Sequence, residues 1–150
     1  AYKSISPEVN FFDDAFIPDM YLPSPTERLK VYRRINEIKS VKDLFSLKLE
    51  LIDRCGKYIN EVDALFSNAE LLLLSKAVGI NKILSNKDRT TIQFDPKLDD
   101  HVLNKILDII RTNTQLYKMD PSGKLEINML DVKNSNQRRL FVRNFVNEIS

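Results

Sequence analysis

The sequence predicts an α+β fold, with an N-terminal antiparallel helical half packed with a small β-sheet of hairpins and two further helices. Three observations carry this prediction. Between Ser24 and Gly79 apolar residues recur at helical spacing, and each run opens on a capping residue. Beyond Gly79 the pattern alternates on either side of a polar turn sequence, and it does so twice. Helical spacing returns in two separate runs, one between the strand pairs and one after them, an order unlike regular β-α alternation.

Residues 1–23 read as an extended lead-in. Pro7, Pro18 and Pro23 remove N–H donors and disfavour helix, and Asp14 to Ile17 is expected to add one short strand. Residues 24–79 form a three-helix part. Ser24, with Pro25 at the first helical position and Glu27 three residues on, makes a capping box for a helix over 25–38 that carries Leu29, Tyr32, Ile35 and Ile38. Ser40 and Asp43 repeat the pattern for a second helix that runs to Arg54 and stops at Gly56. So short a connection makes the first two helices antiparallel neighbours. Asn60 with Asp63 is expected to cap a third helix over 61–78, ending at Gly79.

Residues 80–150 form a strand-helix-strand-helix part. Lys82 to Asn86 and Thr90 to Phe94 flank Lys87-Asp88-Arg89 as a hairpin, and a helix follows from Asp99 or Asp100 to Arg111 with Val102, Leu103, Ile106, Leu107 and Ile110 on one side. Gln115 to Met119 and Lys124 to Met129 surround Asp120-Pro121-Ser122-Gly123, where Pro presets φ and Gly supplies positive φ. A last helix over 135–149 directs Leu140, Val142, Phe145, Val146 and Ile149 toward the core.

With 150 residues the chain is expected to be one domain, since a chain of this length buries roughly 70% of its unfolded surface around a single core. The start at Ala1 suggests a fragment of something longer. Composition excludes several chemistries. Three scattered glycines cannot build a phosphate-cradling loop, and one His with one Cys cannot supply the four ligands of a structural zinc site. Cys55 has no disulfide partner, so a reducing cytoplasm is the expected compartment. The longest apolar run, Ala69 to Val78, contains Glu70, Ser75 and Lys76 and falls short of the ~18 apolar residues of a membrane span.

His101 lies beside Asp99 and Asp100 with no nucleophile placed near it, and reads as an exposed helical residue. Cys55 reads as a small buried filler. The pairs Asp13-Asp14 and Asp99-Asp100 read as helix-start and solvent charges, because adjacent carboxylates point in different directions. Two basic groups, Arg28, Lys30, Arg33 and Arg34 on the first helix and Arg138, Arg139 and Arg143 on the last, read as solvated faces. A direct DNA-binding accessory module built on these helices is the alternative function.

The second helix is patterned more sharply. At 100° per residue from Leu44, Leu47 and Leu51 fall at about 300° and 340°, Phe45 and Ile52 at about 100° and 80°, and Asp53, Ser46, Glu50 and Asp43 between about 180° and 260°. The carboxylates share the outer face, where they suit arginines of a partner. Lys48 falls inside the apolar arc and must extend its ammonium out of it.

Leu49-Glu50-Leu51-Ile52-Asp53-Arg54-Cys55-Gly56, then Glu61-Val62 and Val78-Gly79-Ile80, resemble the C-terminal domain of the bacterial transcription-repair coupling factor family. Ala15-Phe16-Ile17-Pro18-Asp19 with Tyr21, and Glu27-Arg28-Leu29-Lys30-Val31-Tyr32-Arg33-Arg34, resemble that family's lead-in and first helix. The resemblance is close over 9–83 and looser beyond. The chain departs from the family at Cys55, where an aromatic is common, and in the turn Lys57 to Asn60, where prolines are common.

The resemblance implies a non-catalytic regulatory domain of an ATP-dependent DNA translocase that couples transcription to nucleotide-excision repair. In such a parent the ATP and Mg²⁺ belong to the motor, and RNA polymerase, UvrA and double-stranded DNA are the partners. This chain would hold no cofactor or metal and would contact no membrane. Its role would be autoinhibitory, packing on the UvrA-binding region of the same chain until stalled RNA polymerase is engaged. Glu50 and Asp53 match the family's acidic pair at that contact, and Asp43 is a weaker contributor.

Overall fold

The structure, a computed structural model, describes residues 7–150. The first six residues of the expected lead-in lie outside the described residues. The order is β1 (Glu8–Asn10), α1 (Pro25–Glu37), α2 (Val41–Cys55), α3 (Asn60–Val78), β2 (Ile80–Ser85), β3 (Arg89–Phe94), α4 (Asp100–Thr112), β4 (Tyr117–Met119), β5 (Leu125–Asn128) and α5 (Ser135–Ile149). The class is α+β, with both hairpins where the turn sequences place them. The chain divides within α3 into two compact units, residues 14–73 and residues 7–13 with 74–150.

In the helical unit the Ser24 side chain accepts from the Glu27 N–H and the Ser40 side chain from the Asp43 N–H, so both expected caps form. Gly56, at φ 91°, ends α2 in a conformation that costs other residues a Cβ clash. The third helix begins at Asn60, so Asn60 belongs to its first turn and is not its cap. Ile17, Leu22, Val31, Leu44, Leu47, Leu51, Val62, Phe66 and Ala69 form the core. Leu29, expected on the apolar stripe of α1, is exposed, because the buried meridian runs through Val31, about 160° away around the helix.

Asp14 to Ile17 is not a strand. The hydrogen bonds of this segment go instead to a helix and a side chain: the Phe16 N–H donates to the Glu61 carbonyl (3.1 Å) and the Ile17 N–H to the Tyr32 hydroxyl (2.7 Å). The Arg28 guanidinium donates to the carbonyls of Leu22 (2.7 Å) and Pro23 (2.9 Å), which holds the approach to α1.

In the other unit five strands pair in the order β1-β2-β3-β5-β4, with β1 parallel to β2 and all other pairs antiparallel. Register aligns Val9, Ile83, Ile92, Leu125 and Met119 in one transverse row and Ser85, Thr90, Ile127 and Tyr117 in the next. These rows form the inner face. The alternate positions carry charge, with Lys82 near Glu8 and Arg89 near Glu126, as a one-sided sheet requires. Helix α5 lies against the inner face, since Phe145 meets the Tyr117 ring at 6.1 Å and Arg138 Nε donates to Ser85 Oγ at 3.1 Å.

Arg138 and Arg139 are therefore interior residues, only 7% and 4% exposed, not the solvated face the sequence suggested. They lie on the buried side of α5 with Val142, Phe145, Val146 and Ile149, whereas Leu140 is exposed. Their charges are met by the segment after β1. Arg138 also donates to the Phe11 carbonyl (3.3 Å), and Arg139 bonds both oxygens of the Asp13 carboxylate (2.7 and 2.9 Å) while lying over the Phe11 ring. Ser135 donates a further bond to Asp13 (2.6 Å). Phe12 between them takes φ 55°, unusual for a bulky residue, and its N–H donates to the Asn10 side chain. Asp13 is thus an ion-pair partner and not a solvent charge.

Burial pushes the Asp13 carboxyl up, but the hydrogen bonds from Arg139 and Ser135 outweigh it and hold the group below its usual range. A carboxyl lowered on folding stabilises above its unfolded pKa, and that contribution is lost as pH falls through the folded value. Asp13→Ala is expected to cost about 3 kcal/mol in urea unfolding at pH 7, because it strands a buried guanidinium. The gap to the unsubstituted chain should begin to narrow below about pH 4 and close only as pH falls through the lower folded value. A gap that stays unchanged in acid would show that the charge of Asp13 is not its source.

Candidate interaction face on the second helix

The rotation of α2 is set by Leu44, Leu47 and Leu51, all buried. With those three inside, Asp43, Glu50 and Asp53 are exposed, as the projection predicts. Asp43 is the third residue after the Ser40 cap, so one part of its role is local: a carboxylate in the first turn complements the helix dipole. Its side chain also lines an open groove of about 670 Å³ with Arg34, Glu37, Ile38, Lys39, Ser46, Leu47 and Glu50.

Glu50 is not free. Arg34 of α1 reaches its carboxylate at 2.6 Å and holds that carboxyl below its usual range. At the other end of the helix pair Arg54 meets Glu27 at 3.0 Å. The start of α1 thus faces the end of α2, the antiparallel arrangement the short connection implies. The Arg34–Glu50 pair is open to solvent and the Arg54–Glu27 pair is partly so, so both are screened and contribute little to stability. Asp53 differs: its carboxylate has no ion pair or side-chain hydrogen bond among the described residues.

On the opposite flank Lys48 resolves its placement in the apolar arc by extension. Its stem is half-buried and its ammonium reaches Asp63 (3.7 Å) and the face of Tyr58 (5.3 Å). Burial pushes the Tyr58 phenol well above its usual range, and its hydroxyl donates to the Lys48 carbonyl. Tyr21 donates to the Gly56 carbonyl (2.8 Å), so tyrosines secure the turn after α2 without prolines. Cys55 is half-buried and free.

Phe45, expected at the edge of the apolar arc, is 58% exposed, and Leu49 is 51% exposed. His101 and the pair Asp99-Asp100 are exposed at the start of α4. Among the described residues no group of three or more His, Cys, Asp or Glu could hold a metal ion, and no helix is long and apolar enough to cross a membrane. With Arg138 and Arg139 interior, the last helix offers no cluster of three basic side chains to a phosphate backbone. On the first helix Arg28 serves backbone carbonyls, Lys30 lies near Glu27 (3.6 Å) and Arg34 serves Glu50.

The family model of the TRCF domain matches residues 13–104, a span that contains the whole of α2. The chain belongs to the TRCF domain family. It is 29% identical over 143 residues to the transcription-repair-coupling factor of Escherichia coli (strain K12), covering 95% of this chain and 12% of that protein. The transcription-repair-coupling factor of Rickettsia bellii is 30% identical over 119 residues, covering 79% of this chain and 10% of that protein. The chain thus spans about a tenth of the length of these relatives. A crystal structure of the C-terminal domain of transcription-repair coupling factor shares the fold, with a TM-score of 0.79 at 20% identity over 97% of this chain and 92% of that chain.

Within this family frame the residue that sequence reasoning missed is Arg34, assigned to a basic run when its guanidinium is committed to Glu50. The available signal was the antiparallel hairpin itself, which sets the cations of α1 opposite the anions of α2. Arg34→Ala is expected to return the Glu50 titration, followed by NMR, upward into the ordinary glutamate range, while the unfolding free energy changes by at most about 1 kcal/mol. A Glu50 titration indifferent to Arg34 would mean the pair does not persist in solution.

Proposed function

We propose that this chain is a non-catalytic regulatory domain of an ATP-driven DNA translocase that couples transcription to nucleotide-excision repair in the cytoplasm. Its function is a reversible contact within the parent protein: α2 docks by Glu50 and Asp53 on arginines of the UvrA-binding region and masks it until stalled RNA polymerase is engaged. Asp43 adds a weaker contribution across the groove. ATP and Mg²⁺ serve the parent's motor, and double-stranded DNA is its track.

The observation that carries the reading is the placement of Asp53. It lies in the last turn of α2, where the negative end of the helix dipole disfavours a carboxylate, and among the described residues it has no counter-charge. Local stability does not account for a carboxylate there, whereas an external arginine does. Tethering raises the effective concentration of the two surfaces to the order of millimolar, so a weak contact suffices to mask and remains easy to open.

In the full-length parent, Glu50→Ala with Asp53→Ala is expected to raise basal ATPase and to tighten UvrA binding about fivefold or more, the usual scale of interdomain coupling. Unfolding of this domain should change little, because both side chains are exposed. If ATPase and UvrA affinity both stay at their parental values, the assignment of the contact to this face fails.

A further inference from the structure

We infer that the docking surface of α2 is two-edged: an apolar stripe of Val41, Phe45 and Leu49 anchors the same partner surface whose arginines meet Glu50 and Asp53. This rests on the proposed function for the location of the partner, and on the exposure of the stripe for everything else.

Val41, Phe45 and Leu49 recur every four residues and are 38%, 58% and 51% exposed, so they form one continuous line along the helix. Scattered exposed apolar residues are ordinary; three in register on one helix face are a patch. On the helical wheel the stripe runs from about 60° to 140°, Asp53 follows at about 180° and Glu50 at about 240°. Leu49 and Asp53 are therefore neighbours one turn apart, and apolar and acidic edges meet along a single exposed ridge. The acidic edge lies toward α1, where Arg34 holds Glu50, and the apolar edge lies toward the side on which Lys48 reaches Tyr58 and Asp63.

Charge complementarity names the occupant: a protein surface with an apolar pocket bordered on one side by guanidinium groups. Two solvent-exposed ion pairs contribute little by themselves. Covering Phe45 and Leu49 adds a hydrophobic anchor and excludes water from the adjoining carboxylates, which is how apolar centres strengthen polar rims at interfaces. A partner arginine competes with Arg34 for Glu50 but meets no competing cation among the described residues at Asp53. The contact is thus cheapest at the apolar side of the acidic edge, where Leu49 stands.

The test compares three forms of the full-length parent: unmodified, Glu50→Ala/Asp53→Ala, and Phe45→Gln/Leu49→Gln, each assayed for basal ATPase and UvrA binding at low and high salt. Glutamine keeps helix propensity and both replaced side chains are exposed, so folding is retained; the single Leu49→Gln variant serves as a milder form. The apolar variant is expected to tighten UvrA binding about fivefold or more at both salt concentrations, whereas the acidic variant acts mainly at low salt. Activation by the acidic variant alone overturns the apolar anchor and leaves the proposed function standing. No activation by either overturns both. A concentration-dependent dimer of the unmodified protein, dispersed by Phe45→Gln/Leu49→Gln without a change in UvrA binding, would assign the stripe to a second copy and overturn the inference.

Discussion

The three leucines that α2 buries decide what the domain can show to a partner. Leu44, Leu47 and Leu51 lock the rotation of the helix against the core that Val31, Val62 and Phe66 complete. A helix has no freedom to choose its outer face once its inner face is fixed, so the exposure of Glu50, Asp53, Phe45 and Leu49 follows from packing. The ion pairs to α1 are secondary. They are open to solvent and weak, and the association of the helix pair comes from apolar burial.

The sheet-bearing unit meets a different constraint. Two adjacent arginines enter its interior, and buried guanidinium groups must be satisfied fully or not buried at all. The segment after β1 supplies the means: the Phe11 carbonyl, the Phe11 ring and the Asp13 carboxylate, with Ser85 bridging from β2 and itself bonded by Thr90. This gives the short parallel strand β1 a reason to be where it is and holds Phe12 in its left-handed conformation. It also explains why the balance of 23 basic and 21 acidic residues says little about the surface, since part of the basic count is spent inside.

The elements were legible wherever one local rule applied. Ser24 and Ser40 mark helix starts because a hydroxyl satisfies free N–H groups within three residues, and Asp120-Pro121-Ser122-Gly123 marks a hairpin because its residues suit the turn. The expected strand at Asp14 to Ile17 failed because extended chain does not reveal its hydrogen-bond partners, here the Glu61 carbonyl and the Tyr32 hydroxyl. Leu29 and Leu140 were misplaced by about half a turn of helix, an error open to any periodic pattern with apolar residues on two sides.

From sequence alone the chain determined its helices and hairpins, its α+β class, and an acidic line along α2, because caps, periods and turns act within a few residues. Only tertiary structure decided that Arg138 and Arg139 are interior, that Arg34 occupies Glu50 while Asp53 has no counter-charge among the described residues, and that Phe45 and Leu49 lie outside the core. The reason is distance along the chain. The carboxylate that admits Arg139 to the interior lies 126 residues from it, and no local pattern carries that information.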